Sequence, residues 1–332
     1  MTRKVSISRR SFIASASAGA VAAPFLNLRT AFATTDFPNR PIRWIVPYPP
    51  SGTTDILARL TGQWMSETLG QQFAIENKPG GGNNIGTDYV AKAAPDGYTV
   101  LLVNPANGIN VTLYKHLNFD LLRDIAPVAG ICRVPNVMEV NPNFPAKTVE
   151  EFIAYGKANP GKINMASSGN GTSVHLSGEM FMAMTGVQMQ HIPYKGAGPA
   201  LTDLLAGRVD VMFDNMPSSI EYIRSGRMRA LAVTTDKPSP ALPGVPTVAQ
   251  TVPGYEASAW FGMGAPRGTP ADVVDKLNKA MNTALADPKL IERLANLGGV
   301  PMGGSVADFG NVMKAEVEKW AKVVKFANLS ID

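Results

Sequence analysis

Beyond residue 33 the apolar positions follow two alternating patterns. Short, β-branched runs predict strands at residues 42–46, 73–76, 98–103, 162–166, 189–192, 209–213 and 230–234. Between them lie longer stretches with apolar residues near helical spacing. Ile56, Leu57, Leu60, Trp64 and Met65 form one such face, stopped at Gly70 where a left-handed cap is expected. Residues 87–93, 148–157 and 220–225 predict further helices, the second opened by the capping box Thr148-Val149-Glu150-Glu151. Leu176, Met180, Phe181 and Met184 mark a helix face ending at Gly186, and Pro199 suits the first turn of a helix reaching Ala206. Two more helices follow Thr269-Pro270 and Ser305. Residues 104–114 are polar and helix-poor at first, and 238–253 hold five prolines and read as an irregular connection.

Strands alternating with helices over short connections argue for parallel sheets with helices on their faces. The apolar stretch 125–140 reads as two strand-like runs broken at Pro135-Asn136, and 260–265 reads as a return crossing. Crossings near 135 and 258 split the chain into an outer pair of segments and one central segment. The expected fold is therefore α/β with two lobes, each a mainly parallel sheet flanked by helices. Residues 34–135 and 258–332 would build one lobe and 136–257 the other. Hinge motion between two such lobes closes a cleft.

Composition changes the picture at the N-terminus. Ser8-Arg9-Arg10-Ser11-Phe12-Ile13 is a twin-arginine export signature, the Ala/Gly/Ser-rich region 12–26 follows, and Ala31-Phe32-Ala33 suits a signal peptidase. Residues 1–33 are therefore expected to be an export signal, too short in its apolar part for the ~20 residues of a membrane span. Of 31 Lys+Arg, five lie in this segment with no acid, leaving the rest balanced against 26 Asp+Glu. The net charge of +5 thus belongs to the signal, and no cluster of basic residues offers a nucleic-acid footprint. The single cysteine, Cys132, sits in an apolar run and reads as a packing residue. Three scattered histidines with no HExxH or CxxC spacing give no expectation of a metal, and no cofactor is expected.

The candidate chemistry lies at strand ends. Pro47-Tyr48-Pro49-Pro50-Ser51-Gly52-Thr53-Thr54-Asp55 joins a strand to a helix, and Thr53, Thr54 or Asp55 can cap that helix. A small, hydroxyl-rich turn at a helix N-terminus presents free N–H groups and a positive dipole end, a seat for a carboxylate. A capped turn without a ligand has the same pattern. Ser167-Ser168-Gly169-Asn170-Gly171-Thr172-Ser173 repeats the device in the second half, with His175 in the first helical turn, where packing or ligand contact would both suit it. The glycine-rich stretch 77–86 lacks the third glycine of a dinucleotide fingerprint and the Gly-Lys-Ser/Thr of a P-loop. Asp214 and Asn215 sit at a strand end, where open α/β sheets bind ligands.

These motifs, with Ala94-Pro95-Asp96-Gly97-Tyr98, Pro193-Tyr194-Lys195-Gly196, residues 210–215 and residues 243–248, resemble the substrate-binding receptors of tripartite tricarboxylate transporters, the Bordetella uptake gene family. The resemblance covers essentially the whole chain after the signal. It implies a periplasmic receptor of two-lobe fold, not an enzyme, that binds a small carboxylate solute and hands it to membrane transporter subunits. It implies that Ser51, Gly52, Thr53, Ser168, Gly169 and Asn170 contact a common carboxylate, with Asp55 as helix cap. Tyr48, Asn83, Asn84, Asn104, Ser167, Thr172, His175, Tyr194, Lys195 and Asp214 complete the implied site. Ser51 stands where the family often has Gly, and Asn83 or Asn84 where another Gly is usual. A monomer is the default for a receptor that must open and shut. Two alternatives remain: an orphan receptor that signals to a sensor protein, and an exported enzyme of the same architecture, which no Gly-x-Ser-x-Gly elbow or paired catalytic carboxylates support.

Overall fold

The computed structural model describes residues 36–326 and 329–331, and the export signal expected at 1–33 lies outside them. The first strands, β1 (Ile42–Val46), β2 (Phe73–Asn77) and β3 (Thr99–Val103), run parallel, with β1 in the middle. Helices α1 (Thr53–Leu69) and α2 (Asn84–Ala91) connect them. Then come α3 (Pro105–Leu113), the single-turn α4 (Leu121–Asp124) and the 16-residue strand β4 (Ile125–Val140). The central segment supplies α5 (Val149–Ala158), β5 (Ile163–Ser167), α6 (Ser173–Thr185), β6 (Met189–Pro193), α7 (Ala197–Leu205), β7 (Val211–Asn215), α8 (Met216–Arg224) and β8 (Arg229–Val233). The chain returns through β9 (Ser258–Pro266), α9 (Ala271–Leu285), α10 (Pro288–Asn296), β10 (Val300–Pro301) and α11 (Val306–Phe326).

Pairing runs β2-β1-β3-β9-β4-β7-β5-β6, with β8 and β10 also on β4. Parallel ladders (β1 with β2 and β3, β5 with β6 and β7) sit at the two ends. Antiparallel β4 and β9 join them. Each end has its own core. Trp44, Leu57, Met65, Phe261 and Leu277 belong to one, and Phe152, Phe181, Phe213 and Tyr255 to the other. Buried Cys132 belongs to the first core, where burial pushes its thiol up to about 12 and suits it to packing.

Four local expectations are corrected. Residues 125–140 form one continuous strand, not two. At Pro135, which pairs with Ser258, β4 leaves β9; at Asn136, which pairs with Asn215, it joins β7. A proline without an N–H is tolerated where the partner changes. The polar stretch after β3 is the helix α3: Asn104 caps it, Pro105 opens it, and the Asn107 side chain accepts from the Asn104 N–H at 2.8 Å. Helix α10 was not expected, although Asp287 caps it and Pro288 opens it. On α6, Leu176 and Phe181 are buried but Met184 is exposed, so the core face is narrower than the apolar pattern implied.

Candidate functional site

One cavity lies between the two ends of the sheet, lined by Tyr48, Gly52, Thr53, Thr54, Asn104, Pro105, Ser168, Thr172, Ser173, Val174, Ala197, Asn215 and Phe261. None of these side chains is charged. Five helices instead start at it. Gly52 is the N-cap of α1, Asn104 of α3, Thr172 of α6 and Asn215 of α8, and Ala197 is the first residue of α7. The caps divide in two. The Asn104 Oδ1 accepts from Ala106 N at 3.1 Å, and the Thr172 Oγ1 accepts from His175 N at 3.1 Å. No side chain caps α1, α7 or α8, so their first-turn N–H groups are left for a ligand. Five converging positive helix ends in a space free of side-chain charge make a seat for an anion.

The cavity is small, about 30 Å³, roughly the share of one water in the liquid. The two halves touch across it: the Thr53 Oγ1 lies 3.0 Å from the Ser218 Oγ and 3.5 Å from the Asn215 carbonyl. Glycines allow this approach. A Cβ on Gly171 would come within 2.2 Å of the Asn110 Oδ1, and one on Gly196 within 2.8 Å of Pro49. The halves are thus in contact, and the cavity has room for about one water.

Six residues expected at the site line the cavity: Tyr48, Gly52, Thr53, Asn104, Ser168 and Thr172. Others lie behind it as supports. Asp55 is not the cap of α1 but a buried residue of its first turn, accepting from Ser51 N at 3.1 Å, Asn77 Nδ2 at 3.0 Å and Arg59 Nε at 2.9 Å. Burial pushes its carboxyl up, yet Arg59, Asn77 and the Ser51 N–H outweigh this and hold it below the usual aspartate range. Asn83, in a left-handed conformation at φ 83°, bonds Asn104 and Thr87. Asn84 accepts from Asn110 at 2.7 Å.

The second loop stands on two imidazoles. Gly171 N–H donates to His175 Nδ1 at 3.3 Å, and Gly169 N–H to the Ser167 Oγ at 3.1 Å, which in turn lies 2.6 Å from His191 Nε2. The two rings stack at 3.9 Å. Burial, then the neighbouring His175, push His191 down to about 3, so it is neutral, and its Nε2 and the Ser167 hydroxyl share a hydrogen bond. The donor atoms of His175, Glu179 and His191 lie within 4.8 Å of one another, the spacing of a metal site. However, Nδ1 of His175 accepts from Gly171, so its Nε2 carries the proton toward Glu179 Oε1 at 3.2 Å and has no lone pair for an ion. The cluster supports the loop.

The remaining expected residues are elsewhere. Ser51 is exposed at φ 73°, with its N–H given to Asp55. Half-buried Asn170 lies with its carbonyl near Gly82. Tyr194 donates to Asp203 at 2.7 Å, Lys195 is exposed, and Asp214 is fully buried instead of lining the cleft.

Residues 57–329 match the tripartite tricarboxylate transporter family receptor. The chain belongs to that family. Rpa4515 of R. palustris, solved with adipate, superposes with a TM-score of 0.87 at 40% identity, over 89% of this chain and 99% of its own. The periplasmic binding protein BugD gives 0.85 at 38%, over 89% and 99%. MatC from Rhodopseudomonas palustris, with bound malate, gives 0.83 at 33%, over 87% and 100%. The chain is a solute-binding protein with the two-lobe periplasmic-binding-protein fold.

For this family member the sequence reading marked Asn215 by its strand-end position but missed Thr54, Pro105, Ser173, Val174, Ala197 and Phe261. All but Phe261 are a cap or first-turn residue, so counting two residues past each cap would have found them. Phe261 stands in an unbroken apolar strand with nothing local to mark it.

Proposed function

We propose that this protein is an exported receptor that captures a small carboxylate between its lobes and delivers it to a membrane transporter. The observation that carries the reading is the convergence of five helix N-termini, three without a side-chain cap, on one uncharged cavity. Such a site recognises a carboxylate by amide and hydroxyl donors, with no ion pair to desolvate. Structural neighbours solved with adipate and with malate support a dicarboxylate class. The twin-arginine signature supports export, and the family supports the transporter as partner. The domain bounds follow the strand changes at Pro135 and Ser258, which serve as the hinge.

Thermal unfolding with a panel of mono-, di- and tricarboxylates tests the reading. A bound acid raises the melting temperature by mass action and is recovered unchanged. Turnover of the acid, or no shift with any carboxylate, overturns it.

A further inference from the structure

Two buried carboxylates stand behind the seat. In the antiparallel β4/β7 register Val137 faces Asp214 and Glu139 faces Met212. Directly opposed residues share a face, so Glu139 and Asp214 are diagonal neighbours on the face covered by α8. Both are 0% exposed. Both Glu139 oxygens, the Asp214 Oδ1 and the Ser219 Oγ of α8 have no hydrogen-bond partner. The other Asp214 oxygen accepts from the Ser218 hydroxyl. Ser218 is the residue that touches Thr53 across the cleft.

Among the described residues no cation is paired with either carboxylate. From β8 comes Ala230, while Arg229 is turned to the carbonyls of Pro142, Phe144 and Ala146. On α8, Glu221 and Arg224 pair with each other. On α7, Asp203 is taken by Arg208 and Tyr194, and on α6, His175 and Glu179 face one another. Two uncompensated charges in a dry core are untenable, and protonation is the remaining way to neutralise them. Burial drives Asp214 up to about 7, against the pull of Ser218 and the Asn215 N–H. Burial, then the Asp214 charge, drives Glu139 well above the usual range.

Each hydroxyl has one hydrogen, so the protonation state sets the direction of the chain. With Asp214 ionised, Ser218 must donate to it, and Thr53 donates to Ser218. With Asp214 protonated, its O–H donates to Ser218, and the Ser218 hydrogen turns to the Asn215 carbonyl 2.8 Å away or to Thr53 at 3.0 Å; in either case Ser218 already has a donor and no longer draws the Thr53 hydrogen. We propose that a proton keeps the buried pair Glu139 and Asp214 from carrying two charges, and that Asp214 is a positioning residue for the anion seat: protonated, it frees the Thr53 O–H for the ligand's carboxylate, so that capture takes up a proton. The proposal rests on the carboxylate-receptor reading.

The proton on the pair is tested without ligand. The infrared C=O band of a protonated carboxyl persists at neutral pH in the parent and is lost in the Glu139→Gln/Asp214→Asn double variant. Two ionised carboxylates at pH 7, or a band abolished by Na⁺, K⁺ or Ca²⁺, overturns it, the latter in favour of a bound cation. The coupling is tested with adipate and malate. The parent Kd rises by up to about tenfold per pH unit above pH 7, where one proton is taken up per ligand. In Asp214→Asn, whose amide donates to Ser218 at every pH, the Kd is flat; in Ser218→Ala, where nothing links Asp214 to Thr53, it is flat as well. Equal slopes in parent and Asp214→Asn overturn the coupling. If no carboxylate binds, the receptor reading fails and takes the coupling with it, while the infrared band still decides the proton on the pair.

Discussion

Asp55 holds the first anion loop by three short contacts, and its loss is felt in stability before binding. Asp55→Ala leaves the Ser51 N–H and one hydrogen of the Asn77 amide without an acceptor, the other staying on the Tyr48 carbonyl, and is expected to cost about 1–3 kcal/mol by urea denaturation. Its folded pKa lies below the unfolded value, so its contribution is present above about pH 4 and lost as pH falls further. The gap between parent and variant should therefore close in acid; a gap independent of pH would show that the carboxylate charge is idle. His191 gives the opposite chemistry with the same sign. Its folded value of about 3 lies below the ~6.5 of an unfolded histidine, so the unfolded chain binds more protons between those limits. Stability should fall as pH drops from about 6.5 toward 3, and His191→Gln should flatten that part of the profile.

Among the elements, the helix starts matter most. Thr172 both accepts from His175 N and donates to the Gly169 carbonyl at 2.8 Å, so it caps α6 and folds the loop onto it. Thr172→Ala should cost about 1 kcal/mol in stability and weaken carboxylate binding, whereas Thr172→Ser should restore both. An unchanged Kd in the alanine variant would remove α6 from the seat. Gly196 starts α7 at φ 128°, with Pro49 of the other lobe against it. Gly196→Val should leave the lobes folded but hold them apart, read as weaker binding and a larger radius in solution scattering.

For the whole molecule, the contact of Thr53 with Ser218 defines the shut state. The Thr53→Cys/Ser218→Cys double variant places two sulfurs where oxygens now stand 3.0 Å apart, close enough for a disulfide after a small shift. Oxidised, it should neither admit nor release ligand; reduced, it should do both. Equal exchange in the two forms would mean that solute does not enter through this cleft. On the proposed receptor reading the hinge is equally specific: Thr234 ties Asn136 of β4 to the Ala257 carbonyl just before β9, so one residue links both crossings.

The sequence alone determined what is written in local chemistry. Periodicity located every five-residue strand and most helices, because burial repeats with the element's own period. Small polar residues after a strand marked the loops of Gly52 and Ser168, because helix starts need caps and leave free amides. Tertiary structure decided what depends on which elements meet. It put Ser51, Tyr194 and Lys195 outside the cavity and brought Ala197 and Phe261 to it, from segments distant in sequence whose local patterns are ordinary. It made one strand of the run across Pro135, since a partner change is invisible to propensity. It also buried Asp214 beside Glu139: a strand end says where the chain turns, but only the register across β4 and β7 says which face a carboxylate takes.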